Sequence, residues 1–426
     1  MTNADFLAEP EQMAAEPASL GEVRPVPRVS IQAFCESSEL VEVVEAAAAD
    51  RRMSRAHVKV HTGGIDAATE FYREAATPNL IVVESRLPKD SLGPELDRLA
   101  EVCDPGTRVV VIGTINDVAL YRNLIGRGVS EYMVAPVDVP GLIRMVSGLF
   151  ADTESAPLGR SIAFVGAKGG VGASMVAHNV AWSIARNFEN EVVVVDLDLP
   201  FGTAGLDYNQ DPPQGVAEAV NSPDRLDDNF FDRLLAHCSD NLSLLAAPAT
   251  LDRAYDFSEF SFEPVLDVAQ AAVPIVVIDV PHMWTSWIRK TVLAADEVVL
   301  VVEPDLANLR NAKNLLDLLR QERPNDAPPR VVLNKVGMTK RPEISPADLV
   351  DALNVEPVAQ IGFDSQLFGT AANNGQMISE VDPKHAAAAT FDSIAATVTG
   401  RSEIRPAKRG LLSPLLQQFR GKKKSA

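Results

Sequence analysis

From Val29 onward the chain alternates short apolar runs with stretches in which apolar residues recur every third or fourth position. VSIQAF, HVKV, NLIVVES, RVVVIG and EYMV are separated by LVEVVEAAAA, AATEFYREAA, ELDRLAEV and ALYRNLIGRG, and PGLIRMVSGLF follows. The short runs suit buried strands and the longer periodic stretches suit amphipathic helices. Five β/α pairs in succession predict a doubly wound parallel sheet of flavodoxin-like size over residues 29–150. Residues 151–160, ADTESAPLGR, are small and polar and read as a linker. A second alternation follows in SIAFVG, EVVVVDLD, LSLLAA, PIVVIDV, EVVLVVE and RVVLNKV, each nearly continuous in Val, Ile and Leu, as strands covered on both faces should be. The predicted class is α/β, with two doubly wound parallel-sheet domains, the second and larger over 161–400. Residues 1–28 hold acids and prolines but few large apolar groups, and they read as disordered.

Composition narrows the function classes. The chain has 426 residues, no apolar stretch long enough to span a bilayer and an acidic N-terminus unlike a secretory signal, so a cytoplasmic protein is expected. Cys35, Cys103 and Cys238 are scattered singly, which leaves no disulfide framework or paired-cysteine metal site and suggests buried thiols. None of the six histidines has a metal-site spacing. A formal charge of −19 argues against a body that binds DNA. The charge is uneven, however: residues 401–426 carry eight Lys or Arg against Glu403 alone. There Leu411, Leu412, Leu415, Leu416 and Phe419 form one helical stripe flanked by cations. That is the layout of a short helix lying on an anionic membrane surface, with a docking helix or frayed tail as the competing reading.

The strongest chemical signal is Gly166-Ala-Lys168-Gly169-Gly170-Val171-Gly172-Ala173-Ser174, directly after the strand Ser161 to Val165 and before the helix-compatible MVAHNVAWSIARN. Glycines let successive N–H groups approach phosphate oxygens, and the helix N-terminus behind them adds its dipole. Ser174 in the first turn suits a Mg²⁺ ligand. The ordinary phosphate-loop pattern would place lysine where Ala173 stands. The run resembles the deviant Walker A loop of the MinD/ParA superfamily, in which an early lysine, here Lys168, reaches across a dimer to the partner's nucleotide. ATP and Mg²⁺ are the cofactors this resemblance implies. Losing the charge at position 173 predicts weak or absent hydrolysis, because phosphoryl transfer depends on positioning and electrostatics.

Other segments complete the resemblance. VVVVDLDLPFGTAG offers Asp196 and Asp198 on one side of a strand end. The family places the residue that orients the attacking water at Asp198, with Asp196 supporting it or the Mg²⁺ shell. PIVVIDVPHMW ends its apolar run on Asp279, the shape of a Walker B strand whose carboxylate reaches Mg²⁺. VVLNKVG ends on Asn334 and Lys335, where relatives hold adenine, and Glu303-Pro304-Asp305 occupies another segment that lines the nucleotide in relatives. Trp284 and Trp287, three apart, read as one helical face, for an interface or for the core.

The first domain resembles a response-regulator receiver whose chemistry is gone. Glu84 stands where the phosphoacceptor aspartate ends the third strand, Ala135 replaces the lysine before proline, and AFCES lacks the acidic pair. Residues 29–150 therefore read as a pseudo-receiver used for binding. A degenerate receiver followed by a MinD/ParA-like ATPase without its second lysine resembles the TadZ/CpaE family of pilus-assembly proteins. That resemblance implies a dimerising localisation factor at the cell pole that recruits the machinery building Flp-type pili. A DNA-partition ATPase needs a basic ATPase surface and is the runner-up, and a nucleotide-free scaffold is the third reading.

Overall fold

The computed structural model describes residues 20, 23–151, 158–248, 250–251 and 254–400. The basic tail 401–426 and most of the segment 1–22 lie outside the described residues. Two sheets organise the chain. The first contains β1 (Ser30–Cys35), β2 (His57–Thr62), β3 (Leu80–Ser85), β4 (Arg108–Gly113) and β5 (Glu131–Val134) in the order β2-β1-β3-β4-β5, all parallel. This is the flavodoxin-like order. Its five strands coincide with the five runs read from the sequence.

The second sheet has eight strands: β6 (Arg160–Gly166), β7 (Val192–Asp196), β8 (Ala236–Ser239), β9 (Leu242–Leu245), β10 (Ile275–Val280), β11 (Glu297–Val302), β12 (Arg330–Val336) and β13 (Pro357–Gly362). They run in the order β13-β12-β11-β6-β10-β7-β9-β8, and β8 pairs antiparallel. Six of the eight are the apolar runs of the sequence. The other two, β8 and β13, are the sheet's edges, where partly exposed residues break up the apolar signal. In the central strands alternate residues enter two separate cores. Ala163 and Val165 pack on one face, whereas Ile162 and Phe164 pack on the other with Val180, Ile184 and Phe391. Both faces are covered by helices, so a period-two pattern never shows in the sequence.

At residues 20 and 23–28, the described part of the N-terminal segment, the chain packs where disorder was expected. Leu20 and Val26 are buried in the core of the first sheet, the Val26 N–H donates to the Arg52 carbonyl at 2.7 Å, and Ser147 Oγ donates to the Arg24 carbonyl. Isolated apolar residues among prolines gave no periodicity from which this packing could be read.

The two sheets are joined by a buried ionic junction. Arg51 contacts Asp296 and Asp326, each at 2.8 Å, and Arg52, whose side chain is fully buried, pairs with Asp50 and Asp326. Arg323 reaches Asp326 at 2.6 Å, and Asn325 donates to Asp50 at 3.0 Å. Asp296 also accepts from Ser161 N and Oγ at the base of β6. A cavity of about 540 Å³ lies along this junction. Each cation lining it has an acid partner, Arg28 and Arg55 sharing Asp267 and Lys290 meeting Glu263.

Candidate functional site

β6 lies between β10 and β11 inside the larger sheet, and its carboxyl end opens into the glycine loop. Helix Ala173–Phe188 begins immediately after that loop. Gly170 and Gly172 have φ of 82° and 86°, the left-handed region that L side chains rarely adopt. A Cβ at Gly172 would also stand 2.7 Å from Asn334 Nδ2.

Four side chains from three other segments take up the loop's carbonyls. His282 Nδ1 lies 3.1 Å from the Gly166 oxygen, Asn311 Nδ2 donates to Ala167 O at 2.9 Å, Lys335 Nζ to Gly170 O, and Asn334 Nδ2 to Val171 O at 2.7 Å. The N–H groups of Lys168, Gly169, Gly170, Gly172, Ala173 and Ser174 have no acceptor among the described residues. The loop is therefore held through its oxygens and leaves its donors free, with the partial positive charge of a helix N-terminus behind them. These features fit the phosphates of a nucleotide.

The cations around the loop are already balanced by acids. Lys168, about half exposed, has Nζ 3.4 Å from Asp305 Oδ2. Lys335 lies 2.8 Å from Glu303, which also takes Arg341 at 2.7 Å. Burial would raise the Glu303 carboxyl, but Lys335 and Arg341 outweigh it and hold it below the usual range. Asp305 is likewise lowered, burial being outweighed by the Asn308 contacts and Lys168. Ala173 contributes no charge. Asn334, read from the sequence as an adenine contact, is 1% exposed and has both ends of its amide engaged, Nδ2 on Val171 O and Oδ1 on Lys335 N. In this structure Asn334 clamps the glycine loop.

Asp196 and Asp279 are register partners on β7 and β10, which brings two carboxylates from distant segments side by side. Asp196 is fully buried; Oδ1 accepts from Asp198 N at 3.0 Å and Oδ2 from Ala204 N at 3.2 Å, closing the intervening loop around it. Burial, then the charge of Asp279, pushes its carboxyl up to about 7. Asp198 is half-buried and accepts from Phe201 N, and its carboxyl is also raised, first by burial. Asp279 is 2% exposed and its Oδ1 has no partner. A buried carboxylate oxygen of this kind suits a cation or the water it carries, with Ser174 at the helix start supplying a hydroxyl.

Sequence reading passed over His178. It lies four residues after Ser174, hence on the same face of the helix, and it interrupts an otherwise apolar run; that spacing was the available signal. The ring is fully buried, with Nδ1 2.7 Å from Asp207 and Nε2 3.4 Å from Asp279 Oδ2. Burial alone would keep the imidazole neutral, but the contacts with Asp207 and Asp279 prevail and push its pKa up to about 10.

The tryptophans do not share a helical face, because the helix Ser286–Ala294 begins after Trp284, capped by Thr285. Trp287 is buried against Phe262 with ring centroids 4.5 Å apart, whereas Trp284 is half exposed. In the first sheet Glu84 turns inward. Its carboxylate accepts from Glu36 N at 2.7 Å, Ser37 N at 2.8 Å and Ser37 Oγ at 2.7 Å. Glu84 thus staples the loop that follows β1 shut.

Comparison with known proteins agrees with this geometry. A family model described as an AAA domain matches residues 159–326. The septum site-determining protein MinD of Bacillus subtilis is 25% identical over 260 residues, covering 58% of this chain and 91% of that protein. The MinD structure from Pyrococcus horikoshii, solved with Mg-ADP, is 20% identical, with a TM-score of 0.50 over 57% of this chain and 96% of the other, and shows the shared fold. The pilus assembly protein CpaE of Caulobacter crescentus is 50% identical over 30% of this chain and 98% of that structure, with a TM-score of 0.30. The chain belongs to the TadZ/CpaE-like family of pilus-assembly proteins within the MinD/ParA ATPases.

Proposed function

We propose that this protein is an ATP-binding, dimerising localisation and assembly factor for a Flp-type pilus machine, with weak or absent hydrolysis. The observation that carries the reading is the loop 166–174, whose carbonyls are held by His282, Asn311, Asn334 and Lys335 while six N–H groups stay free. Ser174 and Asp279 would hold Mg²⁺, with Asp196 shaping the loop behind them and Asp198 placed for a water. The bound metal would neutralise phosphate charge. Ala173 withholds the cation that stabilises a transferring phosphoryl group, so nucleotide acts as a switch and turnover is slow. Lys168 is the residue assigned to the partner's nucleotide. It would exchange its contact with Asp305, which is half exposed and therefore weak, for a phosphate. Phe201, Leu206, Met283, Trp284 and Leu306 are large apolar side chains left exposed on segments following β7, β10 and β11, a surface suited to association.

In this reading the receiver-like domain contacts pilus or secretion proteins, and the protein works in the cytoplasm near a pole. No helix among the described residues is long and apolar enough to cross a membrane. The basic tail would bring it to an anionic membrane surface. The test is equilibrium binding of a fluorescent ATP analogue with Mg²⁺, comparing wild type with Lys168→Ala. Saturable wild-type binding with ATP-dependent dimerisation lost in the variant supports the reading, whereas no saturable wild-type binding leaves a nucleotide-free scaffold. The acidic balance speaks against DNA partition, and DNA retention that weakens with rising salt would revive it.

A further inference from the structure

After β7 the chain makes the loop 198–203 and the short helix Ala204–Asp207. The start of this segment is fixed by Asp196, through the N–H groups of Asp198 and Ala204. Gly202 packs so closely there that a Cβ would fall 2.3 Å from Asp196 Oδ2. Its end is fixed by a different residue. His178 receives Asp207 at Nδ1 and, through its own carbonyl, the Tyr208 hydroxyl at 2.8 Å, so two consecutive residues are pinned to one position of the helix that follows the phosphate loop. The opposite ring nitrogen faces Asp279 Oδ2 at 3.4 Å as a charge contact, and neither that nitrogen nor Asp279 Oδ1 has a hydrogen-bond partner among the described residues. A histidine that merely filled the core would need one partner; this ring lies between carboxylates of two separate segments.

We propose that His178 is a positioning residue of the nucleotide site, orienting the Asp279 carboxylate and tying that orientation to segment 198–208 through Asp207. The inference rests on the nucleotide reading above and adds to it. Because the same ring holds both acids, loosening one end should disturb the other. The Mg²⁺ dependence of nucleotide binding and the order of residues 198–208 should therefore change together.

The experiment uses the full chain with His178→Gln, Asp207→Ala and Asp207→Asn. Asp207→Asn keeps an oxygen acceptor for Nδ1, while Asp207→Ala avoids substituting a fully buried group. Affinity for a fluorescent ATP analogue is measured with Mg²⁺ and with EDTA, and amide hydrogen exchange is followed in the nucleotide-free protein. In His178→Gln and Asp207→Ala the ratio of the two affinities should fall about tenfold with the EDTA value changed less than twofold. Exchange at 198–208 should quicken about tenfold, and Asp207→Asn should recover most of both effects. Wild type that binds nucleotide, with variants whose Mg²⁺ ratio is unchanged, overturns the inference alone, even if the variants are less stable. Wild type that binds no nucleotide overturns the underlying reading, and the orientation of Asp279 for a metal falls with it. Unchanged exchange in both disruptive variants overturns the tie to Asp207.

Discussion

Replacing Arg51 with alanine should loosen the attachment of the five-stranded sheet to the eight-stranded sheet that carries the glycine loop. The guanidinium is about 10% exposed and bridges Asp296 and Asp326, whose side chains are 12% and 7% exposed. Removing one partner of a buried ion pair typically destabilises by about 3–5 kcal/mol, because the charge left behind stays desolvated. Here neither acid is abandoned: Asp326 retains Arg52 and Arg323, and Asp296 retains two bonds from Ser161. The loss should therefore lie near the lower end, about 3 kcal/mol. At about 2–4 °C per kcal/mol for a domain of this size, the thermal transition should drop by roughly 6–12 °C. Arg73→Ala provides the contrast. Its ion pair with Glu70 is more than half exposed on both sides, and the change should stay within about 1 kcal/mol. Differential scanning calorimetry at pH 7 and at pH 3 is the assay. Burial would raise the Asp326 carboxyl, but Arg51, Arg323 and Arg52 hold it down at about 2. A carboxyl lowered on folding contributes its full stability above the unfolded value of about 3.9 and loses it as pH falls from about 5 toward 2. The gap between wild type and Arg51→Ala should thus narrow at pH 3. An Arg51→Ala transition indistinguishable from Arg73→Ala at pH 7 would refute the buried-junction argument.

Three further outcomes are expected. Ala173→Lys restores the loop cation, and a charged hydrogen bond of about 1.5–3 kcal/mol should tighten ATP affinity roughly 10- to 100-fold, measured by fluorescence titration. Gly172→Ala forces a side chain into the left-handed region and against Asn334, which should destabilise by about 1–3 kcal/mol on thermal denaturation and weaken ATP binding in the same titration. Glu84→Ala strips the acceptor from two backbone N–H groups and the Ser37 hydroxyl, so thermal denaturation should report a loss of about 1–3 kcal/mol; no change in stability would mean that these groups find water instead.

The sequence by itself determined the fold class and the place of the glycine loop between a strand and a helix. Continuous Val/Ile/Leu runs specify central parallel strands, because burial on both faces demands apolar side chains at every position, and Gly166 to Ser174 between strand and helix is a local arrangement legible at short range. The edge strands β8 and β13 escaped notice for the same reason reversed, since a partly solvated edge imposes no such demand. Only the tertiary structure decided which partners the site residues take. The registry that puts Asp196 beside Asp279, the use of Asn334 as a clamp on the loop, the inward turn of Glu84, and the bridging of Asp207 and Asp279 by His178 join residues far apart along the chain. Such contacts depend on the packing of whole strands and helices against one another, whereas sequence periodicity reports only which face of each element is buried.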